Sequence, residues 1–188
     1  MVHIVHWETL REGHLPIETH AALADLFRTA YPRHSRFFAE ARSWSYVRPE
    51  LRVIGWAKDR PVASAGILRR FIEVNGNDQL VAIVGLVAVH PVYQGTGLGL
   101  TLMNVVADAL TGLGVPFGLL MCEPRRVPFY RRAGWHQLSP RRVRYSHDDT
   151  SQPRPFIDEI VETAMVLPIT ATLVDWPAGD MNWHGASV

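Results

Sequence analysis

The stretch VAVHPVYQGTGLGLTLM, residues 87–103, carries three glycines at alternate positions, Gly95, Gly97 and Gly99. An apolar run precedes these glycines and an amphipathic run follows them, which predicts a strand, a loop and a helix. Glycine lets backbone N–H groups approach a ligand closely, and the first N–H groups of a helix favour phosphate. We therefore expect this loop to hold a phosphate group.

Spacing excludes the two common nucleotide-binding motifs. A dinucleotide fingerprint requires G-x-G-x-x-G, and counting from Gly95 the third glycine position holds Leu100. A Walker loop requires a lysine after its last glycine, and the single lysine of the chain is Lys58. What remains is the pattern Q-x-x-G-x-G at 94–99 between a strand and a helix, whose backbone donors suit a diphosphate.

The composition is typical of one globular domain. The chain has 188 residues, of which 47% are apolar, which is enough to bury a sizeable core. Its 19 basic and 18 acidic residues give a net charge of +1, which favours neither nucleic acid nor a membrane surface as partner. One cysteine, Cys122, excludes an internal disulfide, and no signal peptide or membrane-spanning run is evident. We expect a cytoplasmic, single-domain protein over residues 1–188.

Hydrophobic periodicity predicts an α/β mixed sheet. Strands are predicted at 3–10, 51–58, 62–74, 79–89, 117–122, 135–145 (broken at Pro140) and 163–169. Helices are predicted at 17–30, 98–113 and 127–134, with a further short helix between 33 and 49. The run 79–89 is apolar on both faces, which predicts a central strand in a parallel pair around the glycine loop. Turns are predicted at 58–61 and 75–78, a loop at 146–155 and an irregular tail at 169–188.

Two elements resemble the GCN5-related N-acetyltransferase (GNAT) superfamily. The loop pattern is similar to its Q/R-x-x-G-x-G/A motif, and YRRAGW at 130–135 is similar to the Y-x-x-x-G-F/W element that follows the next strand. The resemblance implies a single-domain GNAT fold, with a mixed, mostly antiparallel sheet that has a splayed parallel pair and is flanked by helices. It also implies that coenzyme A binds at the loop. Members of the superfamily often pair, so we expect a homodimer.

The resemblance assigns acetyl-CoA to a defined set of residues. Backbone groups of the loop would hold the diphosphate, namely those of Gln94, Gly95, Thr96, Gly97, Leu98 and Gly99. The pantetheine arm would pair like an extra strand with the segment formed by Val87, Ala88 and Val89. A backbone N–H in this segment could also polarise the thioester carbonyl, as an oxyanion hole does.

A closer resemblance covers nearly the whole chain. The segments 44–74, 110–118 and 166–185 resemble the nodulation N-acyltransferases of rhizobia, which transfer a fatty acyl group to the free amine of a chitooligosaccharide. The segments AVHPVYQGTGLG, FYRRAGW and MVLPIT…DWPAGD also resemble the aminoglycoside 2'-N-acetyltransferases. Both kinds of relative acylate an amine on a sugar, so we expect an amino sugar as acceptor.

The main expectation is an acetyl-CoA-dependent N-acetyltransferase that acylates an aminoglycoside or amino sugar, with antibiotic resistance as its role. The segment before the second strand has one acid, Glu40, against arginines at 33, 36, 42 and 48. This balance favours an acceptor with few amines and an acid group, such as kasugamycin. One alternative is a nodulation-type N-acyltransferase with a longer acyl donor and a chitooligosaccharide-like amine. Another is a non-catalytic sensor that binds acyl-CoA.

The resemblance assigns the role of general acid to Tyr130. A phenol can donate a proton to a departing thiolate when the two meet at hydrogen-bond distance. The general base is open, because superfamily members often place a Glu on the central strand and the matching position here is Gly85. Three alternatives remain, namely a water relayed to Asp175 or Asp180, the side chain of His90, and Glu123 just after the neighbouring strand.

The acceptor is expected to contact the tail and two further side chains. Asp175 and Asp180 can hold a sugar ammonium, and the indole of Trp176 can stack on a sugar ring. Trp44 forms a second candidate wall, and Glu123 is counted with this group.

Neither a metal nor a covalent acyl-enzyme is expected. The nine histidines form no H-x-x-x-H or comparable ligand pair with neighbouring acids. No activating histidine or basic neighbour is fixed to Cys122 by the sequence, so a buried thiol at a strand end is the better interpretation.

Overall fold

The computed structural model describes residues 4–146 and 156–186. Its strands are β1 (His6–Arg11), β2 (Leu51–Ala57), β3 (Arg60–Val74), β4 (Asn77–Val89), β5 (Phe117–Met121), β6 (His136–Gln137), β7 (Arg141–Ser146), β8 (Ile157–Val161), β9 (Ala164–Pro168) and β10 (Met181–Ala186). Its α-helices are α1 (Ile17–Ala30), α2 (Leu98–Leu113) and α3 (Val127–Arg132). Short 3-10 helices lie at Glu12–His14, Pro32–Phe38, Pro91–Tyr93, Pro124–Arg126 and Leu173–Asp175.

The strands form one mixed sheet. Hydrogen bonds join them in the order β6-β9-β5-β4-β3-β10-β7-β8, with β2 also on β3 and β1 on β2. The pairs β4–β5 and β7–β10 are parallel, whereas the pairs β1–β2, β2–β3, β3–β10, β5–β9, β6–β9 and β7–β8 are antiparallel. The predicted mixed, mostly antiparallel sheet with a parallel pair before and after the glycine loop is confirmed. The central position predicted for β4 is confirmed too.

Most predicted elements are present, and two strands were not predicted. The helix predictions at 17–30 and 98–113 match α1 and α2, and the break at Pro140 separates β6 from β7. The prediction of an irregular tail is wrong at 181–186, because β10 forms there and pairs with both β3 and β7. The predicted loop at 146–155 falls almost entirely on 147–155, outside the described residues.

The chain divides into two compact units, and β3, β4 and α2 each contribute residues to both. The first unit comprises the residues up to Leu68 together with Gly85–Ala109. In its core, the apolar face of α1 packs with the 3-10 helix at 32–38, with β2 and with the end of β4. Its buried members include Leu23, Phe27, Phe38, Ile54 and Ala88. The single domain expected over 1–188 stays a prediction.

A buried ion pair joins β2 to the residues after β1 in the first unit. The Arg52 guanidinium donates from Nε and Nη2 to the two carboxylate oxygens of Glu12, each at 3.0 Å. Arg52 also donates to the Ser43 carbonyl at 2.9 Å, and the Ser43 hydroxyl lies 2.8 Å from Nδ1 of His20. All four residues are buried. This network therefore fixes the irregular segment around Ser43 against α1 and β2.

The second unit comprises Arg69–Val84 and the residues from Leu110 to Ser187. Its core packs tightly at β5, where a Cβ on Gly118 would lie 2.7 Å from Cδ1 of Leu110 and 3.0 Å from the Trp135 ring. Trp176 meets Phe117 edge to face, with ring centroids 5.0 Å apart. The tail after β9 is thus part of this core.

Two tight turns confirm the turn predictions. Residues 58 and 59 join the paired ends of β2 and β3, and Lys58 has φ 55°. Asn75 and Gly76 join β3 to β4 with φ values of 50° and 79°. Positive φ at both central residues is the pattern of a type I′ turn, for which Asn-Gly is preferred. In the described part of the chain, no helix combines the length and apolarity needed to span a bilayer.

Candidate active site

The glycine loop lies between β4 and α2 in the first unit. Gly95 has φ 78° and Gly97 has φ 90°, a conformation that L side chains rarely adopt. A Cβ on either glycine would meet no protein atom within 4 Å, so packing does not explain the glycines. The loop residues 94–97 are exposed, and α2 begins at Leu98. The result is an open cradle of backbone N–H groups at a positive helix end, which fits an anionic diphosphate.

The last residues of β4 are fixed by hydrogen bonds from other parts of the first unit. The Tyr31 hydroxyl donates to the Val87 carbonyl at 2.6 Å. The Gln94 side-chain amide donates to the Val89 carbonyl at 3.0 Å, which ties the loop to the strand that precedes it. The structure thus brings Gln94 and Val89 together.

The strand is irregular just before this segment. Leu86 has φ 52°, which is unusual for a non-glycine residue within a strand. The parallel ladder between β4 and β5 runs from Val81 and Phe117 to Ile83 and Leu119. Gly85 follows this ladder, so no carboxylate occupies the position where the superfamily often has its base.

His90 caps the short helix at Pro91–Tyr93. Its ring Nδ1 accepts a hydrogen bond from the Val92 backbone N–H at 3.4 Å. The backbone N–H of His90 donates to the Val62 carbonyl at 2.8 Å. The hydrogen bond from Val92 gives the His90 side chain a structural partner at the end of β4.

Tyr130 lies on α3 in the second unit and is 8% exposed. Its ring meets Phe129 and Trp135 edge to face, with centroids 5.0 and 6.2 Å away. Burial raises the pKa of Tyr130 well above its ordinary value, the Cys122 thiol raises it further, and Arg126 opposes the shift. The phenol therefore keeps its proton at neutral pH.

Two candidates follow β5 in the second unit. The Cys122 thiol is half-buried, and burial together with the Glu123 charge raises its pKa to about 11. Such a thiol is a poor nucleophile at neutral pH, which agrees with the interpretation made from the sequence. Glu123 is exposed and pairs with Arg125 at 2.7 Å.

Each acceptor candidate of the tail has a contact within the second unit. The Asp175 carboxylate accepts from the Thr172 N–H at 2.8 Å and from its hydroxyl at 2.7 Å, and these bonds lower the pKa of Asp175. Asp180 accepts from the Arg142 N–H at 3.0 Å. Trp176 is 9% exposed as a whole residue, which leaves little surface for a sugar. Their acceptor role stays a prediction.

Trp44 is half-buried in the irregular segment of the first unit. The Arg48 guanidinium lies 4.9 Å from its ring centroid and that of Arg42 lies 5.9 Å away. His20 meets the ring edge to face at 6.1 Å. Arginine side chains therefore cover part of the indole surface that was predicted to face a sugar.

Reasoning from the sequence missed Tyr31 and the buried network around Arg52. Tyr31 lies 56 residues before Val87, and no spacing rule links the end of a helix to one carbonyl of a distant strand. The described residues contain no group of three His, Cys, Asp or Glu that could hold a metal ion.

Solved structures share this fold. A GNAT family N-acetyltransferase (YhbS) from Escherichia coli in complex with CoA matches with a TM-score of 0.64 at 14% identity, over 96% of this chain and 89% of that one. A GNAT family acetyltransferase from Brucella melitensis in complex with acetyl-CoA matches with a TM-score of 0.59 at 15% identity, over 94% of each chain. The fold is that of the GNAT superfamily of N-acyltransferases.

A family model described as Nodulation protein A (NodA) matches residues 2–185. The chain belongs to this family, and it is an acyltransferase. Nodulation protein A of Bradyrhizobium elkanii is 38% identical over 187 residues, which covers 93% of this chain and 87% of the relative. Nodulation protein A of Rhizobium tropici is 34% identical over 185 residues, which covers 93% of each chain.

These matches bear on the two acceptors that the sequence left in competition. They support the nodulation-type alternative and give no support to an aminoglycoside acceptor or to antibiotic resistance. The segments resembling both families lie in shared GNAT elements and in the tail, so they could not separate the two acceptors.

Proposed function

We propose that this protein transfers an acyl group from an acyl-CoA-type thioester to the free amine of a chitooligosaccharide. The observation that supports an acyl-CoA-type donor is the open glycine loop, in which Gly95 and Gly97 have positive φ. Membership of the NodA family supports the acceptor half, since it favours the nodulation-type alternative over an aminoglycoside. A cytoplasmic location and a homodimer stay predictions.

The loop residues fit the donor. Backbone N–H groups from Gly95 to Gly99 would hold the diphosphate, since the first turn of α2 has no acidic side chain to repel an anion. When bound, the acyl thioester supplies the activated carbonyl carbon that the amine attacks. Neither Val87 nor Val89 is fully buried, and a backbone N–H of one of them would stabilise negative charge on the thioester oxygen.

Tyr130 would act as a hydrogen-bond donor to the leaving sulfur. A thiol has a pKa near 8.5 in water, below that of this phenol, so a complete proton transfer from Tyr130 would be unfavourable at equilibrium. A hydrogen bond that shares the proton still stabilises the developing thiolate. Water can then complete the protonation.

Water is also the proposed carrier of the amine proton. No carboxylate projects at Gly85, and the other candidates hold internal contacts. Asp175 caps a helix, Glu123 pairs with Arg125, and His90 accepts from a backbone N–H. A sugar amine is only moderately basic and releases its proton near neutral pH without a strong base.

The decisive experiment supplies acetyl-CoA and longer acyl-CoA donors with a chitotetraose that carries one free amine. We expect thiol release and a product heavier by one acyl group. The matched control is fully N-acetylated chitotetraose, which has no acceptor amine. Thiol release with a panel of aminoglycosides but not with the free-amine chitotetraose would overturn the acceptor assignment. Absence of thiol release with every amine would overturn the proposed acyl transfer.

Two variants test the site residues. Tyr130→Phe should bind CoA normally and lose turnover, and equal rates would remove Tyr130 from its role. Gly97→Ala should weaken CoA binding, because its φ of 90° costs an L residue about 1–2 kcal/mol in a loop that must keep its shape. Gly76→Ala is the matched control, with φ 79° and the same open surroundings in the β3–β4 turn. Equal CoA affinity in both glycine variants would contradict the diphosphate assignment.

A further inference from the structure

Two side chains engage alternate carbonyl groups at the end of β4. The Tyr31 hydroxyl donates to Val87 at 2.6 Å and the Gln94 amide donates to Val89 at 3.0 Å. Tyr31 follows α1, whereas Gln94 belongs to the glycine loop. Two separate elements of the first unit thus act in the same way on two residues of one strand.

Both carbonyl groups lie on the same edge of β4. The N–H of His90 donates to Val62 of β3 at 2.8 Å, so the backbone groups of His90 face β3. In an extended strand, neighbouring residues direct their N–H and C=O groups to opposite edges. Val87 and Val89 therefore direct theirs away from β3. Their N–H groups lie about 6.6 Å apart, which is twice the rise of about 3.3 Å per residue.

We propose that Tyr31 and Gln94 are positioning residues for the acyl donor. Because each holds a carbonyl on this edge, the edge offers a ligand N–H donors in preference to carbonyl acceptors. The ligand chemistry that fits is an extended arm with two carbonyl groups, as in a thioester and the neighbouring amide of pantetheine. This inference rests on the proposed function. It adds Tyr31 and Gln94 as the residues that select and orient the arm of the acyl donor.

Tyr31 is rigid enough for this role. Its ring stacks on Phe27 and Phe38, with centroids 6.3 and 6.2 Å away and interplanar angles of 29° and 28°. The hydroxyl is therefore held in place before a ligand arrives, and fixing it costs no further ordering on binding. Tyr31→Phe keeps the ring and its packing and removes only the hydroxyl.

The test compares two ligands by isothermal titration calorimetry on the full chain. Acetyl-CoA has the nucleotide, the diphosphate and the arm, whereas adenosine 3'-phosphate 5'-diphosphate has the nucleotide and the diphosphate without the arm. We expect Tyr31→Phe to weaken acetyl-CoA binding about tenfold, the effect of one lost hydrogen bond in a positioned site, and to leave binding of the nucleotide unchanged. A merely structural change would weaken the binding of both ligands.

Tyr145→Phe is the matched control. Its hydroxyl donates to Glu159 at 2.7 Å in the second unit, so the variant loses a comparable hydrogen bond. It should lower the melting temperature without changing the affinity for acetyl-CoA. If Tyr31→Phe fails to fold, Gln94→Met tests the second carbonyl with the same pair of ligands.

The outcomes separate this inference from the proposed function. Absence of acetyl-CoA binding to the unmodified protein overturns both. If the unmodified protein binds acetyl-CoA and Tyr31→Phe binds it equally well or more tightly, only the positioning role is overturned. Equal losses for acetyl-CoA and the nucleotide would also overturn it.

Discussion

Removing one partner of the buried Glu12–Arg52 pair should destabilise the protein far more than removing both. Arg52 is fully buried and Glu12 is 2% exposed, and their two hydrogen bonds of 3.0 Å form a bidentate pair. At this distance the attraction between two unit charges is about 5–6 kcal/mol for an effective dielectric constant of about 20. Desolvation of the two ions costs several kcal/mol each and cancels much of that gain.

The expected magnitudes follow from this balance. Glu12→Gln leaves the Arg52 charge buried without a carboxylate, and its expected cost is about 3–5 kcal/mol in the free energy of unfolding. Arg52→Met leaves the Glu12 carboxylate without its two hydrogen bonds and should cost a similar amount. The double variant Glu12→Leu/Arg52→Met buries no charge, so it should be more stable than either single variant.

Urea denaturation followed by tryptophan fluorescence measures these free energies. A coupling energy of at least about 2 kcal/mol between the two positions is expected, because the side chains touch. Single variants that each lose less than about 1 kcal/mol would show that the buried pair does not have this energetic importance. So would a double variant that loses the sum of the two single losses.

Three further predictions concern stability. Burial lowers the pKa of His20 below 6.5, Arg48 and Arg52 lower it further, and Glu12 opposes the shift. The unfolded chain therefore takes up this proton first, so unfolding free energy should fall as the pH drops through 6.5, and less steeply in His20→Gln. Lys58→Gly should raise the melting temperature, since a φ of 55° costs lysine about 1 kcal/mol, and an unchanged value would contradict this. Gly179→Ala should lower the free energy of unfolding in urea titrations by about 2 kcal/mol, because its Cβ would lie 2.7 Å from the Cβ of Asn75; wild-type stability would contradict the clash.

Local patterns in the sequence were sufficient for the elements that bury a continuous apolar face. The periodicity of α1, the apolar run of β4 and the Asn75-Gly76 turn each specify their conformation through neighbouring residues. β8 was not predicted because the exposed residues Asp158 and Glu159 interrupt its apolar pattern. This strand is the last one in the strand order of the sheet. β10 escaped because its pairing with β3 and β7 comes from residues far along the chain.

The part of the candidate site that could be predicted from the sequence is the loop whose backbone conformation requires glycine. The positive φ of Gly95 and Gly97 is a local requirement, so the loop could be found from its spacing. The hydrogen bond from Tyr31 to Val87 and the buried contacts of Ser43 depend on the folded chain, and no local pattern marks them. The sequence therefore predicted the glycine loop but not the Tyr31 hydroxyl that fixes the end of β4 beside it.

The tail shows how a motif shared with two families can mislead about the acceptor. Asp175 caps a short helix, Trp176 packs on Phe117, and Asp180 accepts from the backbone of β7. Each contact stabilises the second unit without any ligand. The two families that this tail resembles are expected to act on different sugars, so the motif that they share does not by itself distinguish one sugar acceptor from the other. The choice of acceptor should therefore be sought first in residues outside the DWPAGD segment.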